Sequence, residues 1–225
     1  MDDERLELAL LSDETLAALI AHGTPRAPLL ELARRVYHEA LELLASEQRQ
    51  AALLRSIELA EAAIAEVEAQ RRRLKVEQPR IACARGCASC CILRVEIGAL
   101  EAERLRPVVE ALELSAAVEA LASEVGSLSR LERLEARRSC ALLGRDGECR
   151  VHAVRPMACR AANSMSSDAC RRAAQLGDSS VGIPVEGTSF GLMRSAALGL
   201  SLACADAGLD ASQTELHTAL RRGIR

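Results

Sequence analysis

Four cysteines stand within nine residues in the segment CARGCASCC, residues 83–91. Such a cluster can form disulfides, stay reduced or hold a metal ion. A chain of 225 residues with 49% hydrophobic residues can bury its own core, so it does not need disulfides to stay folded. The total of nine cysteines is odd, which argues against complete pairing. The cluster therefore indicates a metal or redox role.

The start of the chain and its apolar runs bear on the compartment. The first residues, MDDERLELALLSDE, are acidic and lack the basic start and apolar stretch of a secretory signal. The longest apolar run, residues 195–209, is too short to span a bilayer and contains Asp206. We therefore expect a soluble, cytoplasmic protein. Clustered thiols in that compartment stay reduced and serve metal or redox chemistry.

Charge and aromatic content limit the expected partners. The net charge is -3, and no basic stripe stands out. Tyr37 and Phe190 are the only aromatic residues, so the stacking platforms of a single-strand nucleic-acid binder are missing. The sequence predicts neither a nucleic-acid nor a membrane partner, and it leaves open a protein partner of unknown identity.

Helical periodicity divides the chain into three regions. In the first, residues 1–78, apolar residues recur at alternating steps of three and four. A short helix should have Ser12 as its N-cap and end at Gly23. The pattern that follows predicts either one long helix or two helices broken near Ser46. We expect this N-terminal helical region to pack on the rest of the protein rather than to bind a coiled-coil partner.

Residues 79–176 form the cysteine-cluster metal-binding region, and residues 177–225 form a C-terminal helical region expected to pack on it. Helical breaks are predicted at Pro107 and Gly126. The segment SCALLGRDGECRVH contains an Asp-Gly turn signal and predicts a small β-hairpin. The last helix should begin near Ser212, which has capping-box spacing with Glu215. The predicted fold class is mainly α, a helical domain with an irregular cysteine-rich metal-binding centre and a small β-hairpin.

The spacing of the cysteines suits metal ligation. Cys87 and Cys90 have the two-residue gap that brings two thiolates onto one metal, and Cys83 stands one helical turn earlier. A helix from Gly86 would point adjacent Cys90 and Cys91 at least a quarter turn apart, so we expect them not to share one metal atom. Four further cysteines follow at intervals of nine to eleven residues: Cys140, Cys149, Cys159 and Cys170.

The order of these motifs resembles a known family. CARGCASCC, followed by CALLGRDGECRVHAVRPMACR, is similar to the bacterial CxxCxxCC cysteine-cluster family, described as a zinc- or iron-chelating domain. That family also includes flagellin lysine N-methylase. The resemblance covers residues 80–172 and rests on the CC pair, the G-x-C hairpin and the R-P-x-x-C-R run. It implies that eight cysteines are metal ligands: Cys83, Cys87, Cys90, Cys91, Cys140, Cys149, Cys159 and Cys170.

The resemblance also singles out residues close to the cysteines. Arg155 and Arg160 match the R-P-x-x-C-R run, and we expect them to bind the cofactor by offsetting the negative charge of its thiolates. Pro156 should start a short helical turn that carries Cys159 inward. His152 stands where many members of the family carry tyrosine, so it is either a ligand or a packed neighbour.

The ninth cysteine and the other histidines lie outside these motifs. Cys204 stands on an apolar helix and is interpreted as a small buried hydrophobic residue rather than a ligand. His22, His38 and His217 are expected at the surface.

Two classes of function follow from the sequence. The first is a metal-binding protein that coordinates zinc or iron, the latter for example as a [4Fe-4S] cluster, with both cysteine groups meeting around one metal centre or two neighbouring ones. The alternative is an iron-sulfur-dependent enzyme related to protein (flagellin) lysine N-methylases, an activity that only the resemblance implies. The sequence does not decide whether the protein is an enzyme.

Overall fold

The computed structural model describes residues 3–222, and the chain is mainly α-helical over that range, as predicted. Two short 3-10 helices lie within the cysteine-rich segment: Ser89–Ile92 contains the CC pair, and His152–Val154 lies between Cys149 and Cys159. The helices are α1 (Asp3–Ser12), α2 (Glu14–Ala21), α3 (Arg26–Ala45), α4 (Arg49–Arg73), α5 (Ala99–Ala111), α6 (Ser115–Val125), α7 (Arg130–Ala136), α8 (Met157–Ala161), α9 (Ser167–Leu176), α10 (Gly187–Asp206) and α11 (Leu216–Arg221).

The chain folds into two compact units that each combine distant segments. The first unit contains the residues up to Pro79 together with Glu186–Ser212, and it holds α1 to α4 and α10. The second unit, called the cysteine unit below, contains Arg80–Val185 together with the residues from Gln213 onward. The division into regions 1–78, 79–176 and 177–225 stays a prediction.

The first unit is organised around the packing of α10 on α3 and α4. A Cβ atom on Gly199 would lie 2.4 Å from the carbonyl oxygen of Ala33, so only glycine permits α10 to approach α3 this closely. Cys204 is buried on α10 in this unit, as its interpretation as a core residue predicts. The other eight cysteines all belong to the cysteine unit.

Two of the helix boundaries in the first unit were left open or misplaced by the sequence. The chain breaks at Ser46, so two helices form instead of one. The N-cap of α2 is Asp13 rather than Ser12, because the Asp13 carboxylate accepts hydrogen bonds from the N–H groups of Thr15 and Leu16. Gly23 follows the end of α2 in the left-handed conformation, with φ of 95°, as expected of a helix stop.

The cysteine unit has its own hydrophobic core, built by α5, α6, α11 and the loop residues between Cys140 and Val151. Leu105, Val118 and Leu220 lie at its centre with at most 1% exposure. Cys140 and Cys149 pack against this core. These two cysteines of the second group therefore rest on a packed apolar surface.

A two-stranded antiparallel sheet joins the middle of the chain to its C-terminal segment. Strand β1 (Glu96–Ile97) pairs with β2 (Thr214–Glu215), with Glu96 opposite Glu215. Strand β1 lies shortly after the CC pair, so the sheet holds the C-terminal segment beside the first cysteine group. The small amount of β structure is as predicted, but the expected hairpin is reduced to one antiparallel bridge between Leu143 and Cys149.

Two predicted boundaries in the cysteine unit are wrong. Pro107 lies inside α5, where burial of Leu105 and Val109 on one face of the helix outweighs the proline penalty of about 3 kcal/mol. The last helix begins at Leu216 rather than near Ser212, because the preceding residues form β2 and Glu215 caps the helix. The predicted break at Gly126 is confirmed, since this residue ends α6.

None of the helices within residues 3–222 combines the length and the apolar character that crossing a bilayer requires.

Candidate metal centre

The first cysteine group lies on a turn followed by a short 3-10 helix. The N–H of Cys87 donates to the carbonyl of Ala84 at 3.0 Å, and Gly86 takes the left-handed conformation with φ of 80°. A helix from Gly86, considered as one alternative from the sequence, does not form, because this residue takes a left-handed conformation and the 3-10 helix begins at Ser89. Three residues of the group are exposed, namely Cys83, Cys87 and Cys90. The fourth, Cys91, is half-buried.

The adjacent cysteines of the CC pair contact each other. The Cys91 thiol donates a hydrogen bond to the Cys90 sulfur, which lowers the pKa of Cys90 to about 6. The same hydrogen bond, with burial, raises the pKa of Cys91 above its ordinary value. The side chains were expected to point apart, so this contact corrects that expectation. The expectation that Cys90 and Cys91 do not share one metal atom stays a prediction.

The second cysteine group is spread over four local structures. Cys140 precedes the hairpin bridge, Cys149 belongs to it, Cys159 lies on α8 and Cys170 lies on α9. All four are half-buried. Helix α8 begins directly after Pro156, so the expected helical turn that carries Cys159 is present.

The two groups meet at a backbone hydrogen bond. The N–H of Cys140 donates to the carbonyl of Cys91 at 2.8 Å. Helix α9, which carries Cys170, packs against the 3-10 helix that carries the CC pair. The N–H of Ala82 also donates to the carbonyl of Ser164 at 2.7 Å, which holds the start of the first group beside the α8–α9 loop.

The thiols are close enough to influence one another's charge. Burial raises the pKa of Cys159, and the negative charges of Cys140, Cys90 and Cys149 raise it further. Burial likewise raises the pKa of Cys83, with added repulsion from Cys87, Cys90 and Cys170. A bound cation would relieve this repulsion and favour deprotonated sulfur.

The donor set fits zinc or iron in its chemistry, since thiolates are preferred ligands of both. Within residues 3–222, however, no three His, Cys, Asp or Glu side chains already converge closely enough to hold a metal ion. The sulfur atoms must therefore draw together on binding, as is usual where metal binding and folding are coupled.

The expected cofactor-binding arginines occupy different environments. The positive charge of Arg155 lowers the pKa of Cys90 and opposes the burial that raises the pKa of Cys149. The buried Nε of Arg155 has no hydrogen-bond partner. Arg160 instead donates to backbone carbonyls, through Nε to Arg155 at 3.0 Å and through a terminal nitrogen to Ala153 at 3.1 Å. His152 is exposed on its 3-10 helix.

The structure adds His217 to the surroundings of the cysteines. His217 was expected at the surface but is 3% exposed, because β2 draws the C-terminal segment into the cysteine unit. Its Nε2 lies 3.4 Å from the Cys140 Sγ, and its Nδ1 lies 2.7 Å from Glu215 Oε1. His22 and His38 are exposed, as expected.

Glu215 and Arg133 complete this buried polar group. Burial opposes ionisation of both Glu215 and His217, but the side-chain hydrogen bond between them lowers the pKa of Glu215 to about 2. Together with the contact to Cys140, the same hydrogen bond raises the pKa of His217 to about 9. Arg133 is 1% exposed, and burial lowers its pKa against the opposing influence of Glu215 and Cys140. Sequence reasoning missed these three residues because no motif or spacing connects them to the cysteines.

A comparison with family models assigns the cysteine-rich segment. Residues 82–178 match the family CxxCxxCC, described as "Putative zinc- or iron-chelating domain". The matched segment is called the CxxCxxCC domain below. The match confirms the resemblance inferred from the motifs, and a metal-binding domain is the function that the family description supports. A search of curated proteins and of solved structures finds no match.

The matched segment and the cysteine unit have different extents. The CxxCxxCC domain includes all eight clustered cysteines, Arg155 and Arg160, and it spans less than half of the chain. It ends well before Glu215 and His217. The structure therefore places residues from outside the domain beside Cys140.

The pKa differences predict an order of thiol reactivity in metal-free, reduced protein. Cys90 should react first with iodoacetamide at about pH 7, because it is exposed and a pKa of about 6 keeps it largely ionised. Its rate should fall as the pH drops below about 6. Mass spectrometry of peptides after timed alkylation gives the rate at each site. Cys159 should be alkylated more slowly than Cys90, and buried Cys204 serves as the internal control. Equal alkylation rates at Cys90 and Cys159 would contradict the predicted order of reactivity.

Proposed function

We propose that this protein binds zinc or iron through the two cysteine groups of its CxxCxxCC domain. The observation that carries the proposal is the junction at which the Cys140 N–H meets the Cys91 carbonyl at 2.8 Å. This hydrogen bond brings together cysteines that are far apart in the sequence. The clustered cysteines form no disulfide, and free thiols this concentrated are prone to oxidation. Metal binding accounts for such a cluster.

Charge compensation supports the same function. Four thiolates around Zn²⁺, or around an oxidised four-iron cluster, leave about two negative charges. The positive charge of Arg155 favours the thiolate form of Cys90 in the first cysteine group and of Cys149 in the second. A bound metal would supply the remaining positive charge.

The two candidate metals would give the site different roles. Zinc with four thiolates would make a structural centre that holds the loops of the cysteine unit together. An iron-sulfur cluster held by the same cysteines would be redox-active. Both assignments draw their four ligands from the same eight clustered cysteines, so identifying the ligands comes before identifying the metal.

A second candidate function is an iron-sulfur-dependent enzyme related to protein lysine N-methylases. The observation that favours it is the exposure of Cys83, Cys87 and Cys90. A centre bound there would have one accessible side, as catalytic and redox sites require and closed structural zinc sites do not.

The ligand assignment is tested by a matched pair of substitutions. Cys159→Ser should weaken metal binding more than about tenfold, since it removes a proposed thiolate ligand. Cys204→Ser changes a buried cysteine of the first unit and should leave the metal content unchanged, while the buried hydroxyl lowers the free energy of unfolding. Metal per protein is measured by mass spectrometry of anaerobically purified samples. Equal metal content in the two variants would remove Cys159 from the ligand set.

Metal removal should loosen the cysteine unit selectively. Its ligands come from the segments around residues 83–91 and 140–170, which the metal would hold together. After chelation, proteolysis should cut within residues 80–172, while the helices of the first unit keep most of their circular dichroism signal. Unchanged proteolysis in verified metal-free protein would show that the metal has no structural role.

A further inference from the structure

A buried chain of three side chains leads from the C-terminal segment to the second cysteine group. Glu215 and His217 are 1% and 3% exposed, and both belong to the cysteine unit although they lie outside the CxxCxxCC domain. The His217 ring stands between the Glu215 carboxylate and the Cys140 sulfur. Because the His217 side chain is buried between these two groups, contact with solvent does not explain its position.

We propose that His217 is a nitrogen ligand of the metal centre, bound through Nε2 beside Cys140, and that Glu215 positions its ring through Nδ1. This inference rests on the proposed function, because it adds a ligand to the centre that the cysteines form. It also extends the site beyond the segment that the family match covers.

The separation of the two donor atoms suits a shared metal ion. His217 Nε2 lies 3.4 Å from Cys140 Sγ. A tetrahedral zinc ion with ordinary Zn–N and Zn–S bonds places its nitrogen and sulfur ligands about 3.6 Å apart. The two atoms thus already have nearly the spacing of neighbouring ligands, before any movement of the loops.

Glu215 has the position that a supporting carboxylate requires. Metal-binding histidines usually donate their second ring N–H to a carboxylate, which fixes both the tautomer and the ring orientation. Glu215 Oε1 lies 2.7 Å from His217 Nδ1, and Oε2 accepts from the N–H of Thr218 at 2.9 Å. Pairing of Glu215 with Glu96 across the small sheet fixes the backbone that carries this carboxylate.

Two backbone N–H groups of the second cysteine group adjoin the donor atoms. The Ala141 N–H points to His217 Nε2 at 3.2 Å, and the Leu142 N–H points to Cys140 Sγ at 3.5 Å. A metal ion at His217 Nε2 would replace the Ala141 contact and would require this ring nitrogen without its proton. The Leu142 contact stabilises negative charge on the sulfur, as N–H groups near thiolate ligands do.

A nitrogen ligand also suits the burial of this part of the centre. A neutral imidazole in place of one thiolate makes the site less negative by one charge. Cys140 and Cys149 pack against the hydrophobic core, where uncompensated charge is costly. Arg133 then has less negative charge to balance beside Glu215 and Cys140.

The test uses Zn²⁺ as the probe and X-ray absorption at the zinc edge, because an imidazole ring produces outer-shell scattering that thiolates do not. The protein has four histidines, and His22, His38 and His152 are exposed. A variant with His22→Gln, His38→Gln and His152→Gln, produced without a histidine tag, keeps only His217. Imidazole scattering should persist in this variant. It should disappear in His217→Gln, which keeps the other three histidines.

The outcomes distinguish failure of the His217 assignment from failure of the proposed metal binding. Zinc bound with sulfur scattering only, in the variant that keeps His217 alone, overturns the His217 assignment and leaves the cysteine centre intact. Failure of the wild-type protein to bind zinc or iron overturns the proposed function. If His217→Gln does not fold, the variant that keeps only His217 still tests the assignment, because its three substitutions are all at exposed positions.

The positioning role of Glu215 has a separate readout. Glu215→Gln keeps an oxygen that can accept the Nδ1–H hydrogen bond, but it removes the negative charge. Zinc affinity, measured by competition with a chromophoric chelator, should fall about 10- to 100-fold, with imidazole scattering retained. Glu96→Gln changes the neighbouring carboxylate across the sheet and should leave the affinity unchanged. Equal affinities of wild type and Glu215→Gln would overturn the positioning role.

Discussion

The cysteine unit depends on the hydrogen bond between the Cys140 N–H and the Cys91 carbonyl. It closes a loop of roughly 50 residues, which carries an entropic cost that local contacts must offset. Helices α5 and α6 make this closure feasible, because they fold the intervening chain into a compact hydrophobic core on which Cys140 and Cys149 rest. The core therefore brings the two cysteine groups together.

Repulsion between buried thiols sets the chemistry of the assembled groups. Burial and neighbouring charge raise the pKa of Cys159, while the hydrogen bond from Cys91 lowers that of Cys90. The protein offsets part of the negative charge with Arg155, and a cation offsets the rest in our account.

The helices and the cysteine motifs could be predicted from the sequence because both are local patterns. Apolar spacing fixes helical faces, and the order of the CC pair and the R-P-x-x-C-R run identifies the domain. The position of His217 could not be predicted, because it depends on pairing between Glu96 and Glu215, residues more than half the chain apart. Pro107 was misjudged for a related reason, since tertiary burial of α5 overrides a local helix-breaking preference.

The central claim is that cysteines of both groups hold one shared metal centre or two adjacent ones. Crystals of anaerobically purified protein, measured at the zinc and iron absorption edges, test it most directly through anomalous difference maps. We predict a peak within the cysteine unit whose surrounding sulfur atoms include at least one from residues 83–91 and at least one from residues 140–170. A metal held by one group alone, or the absence of any peak at both edges, would contradict the account.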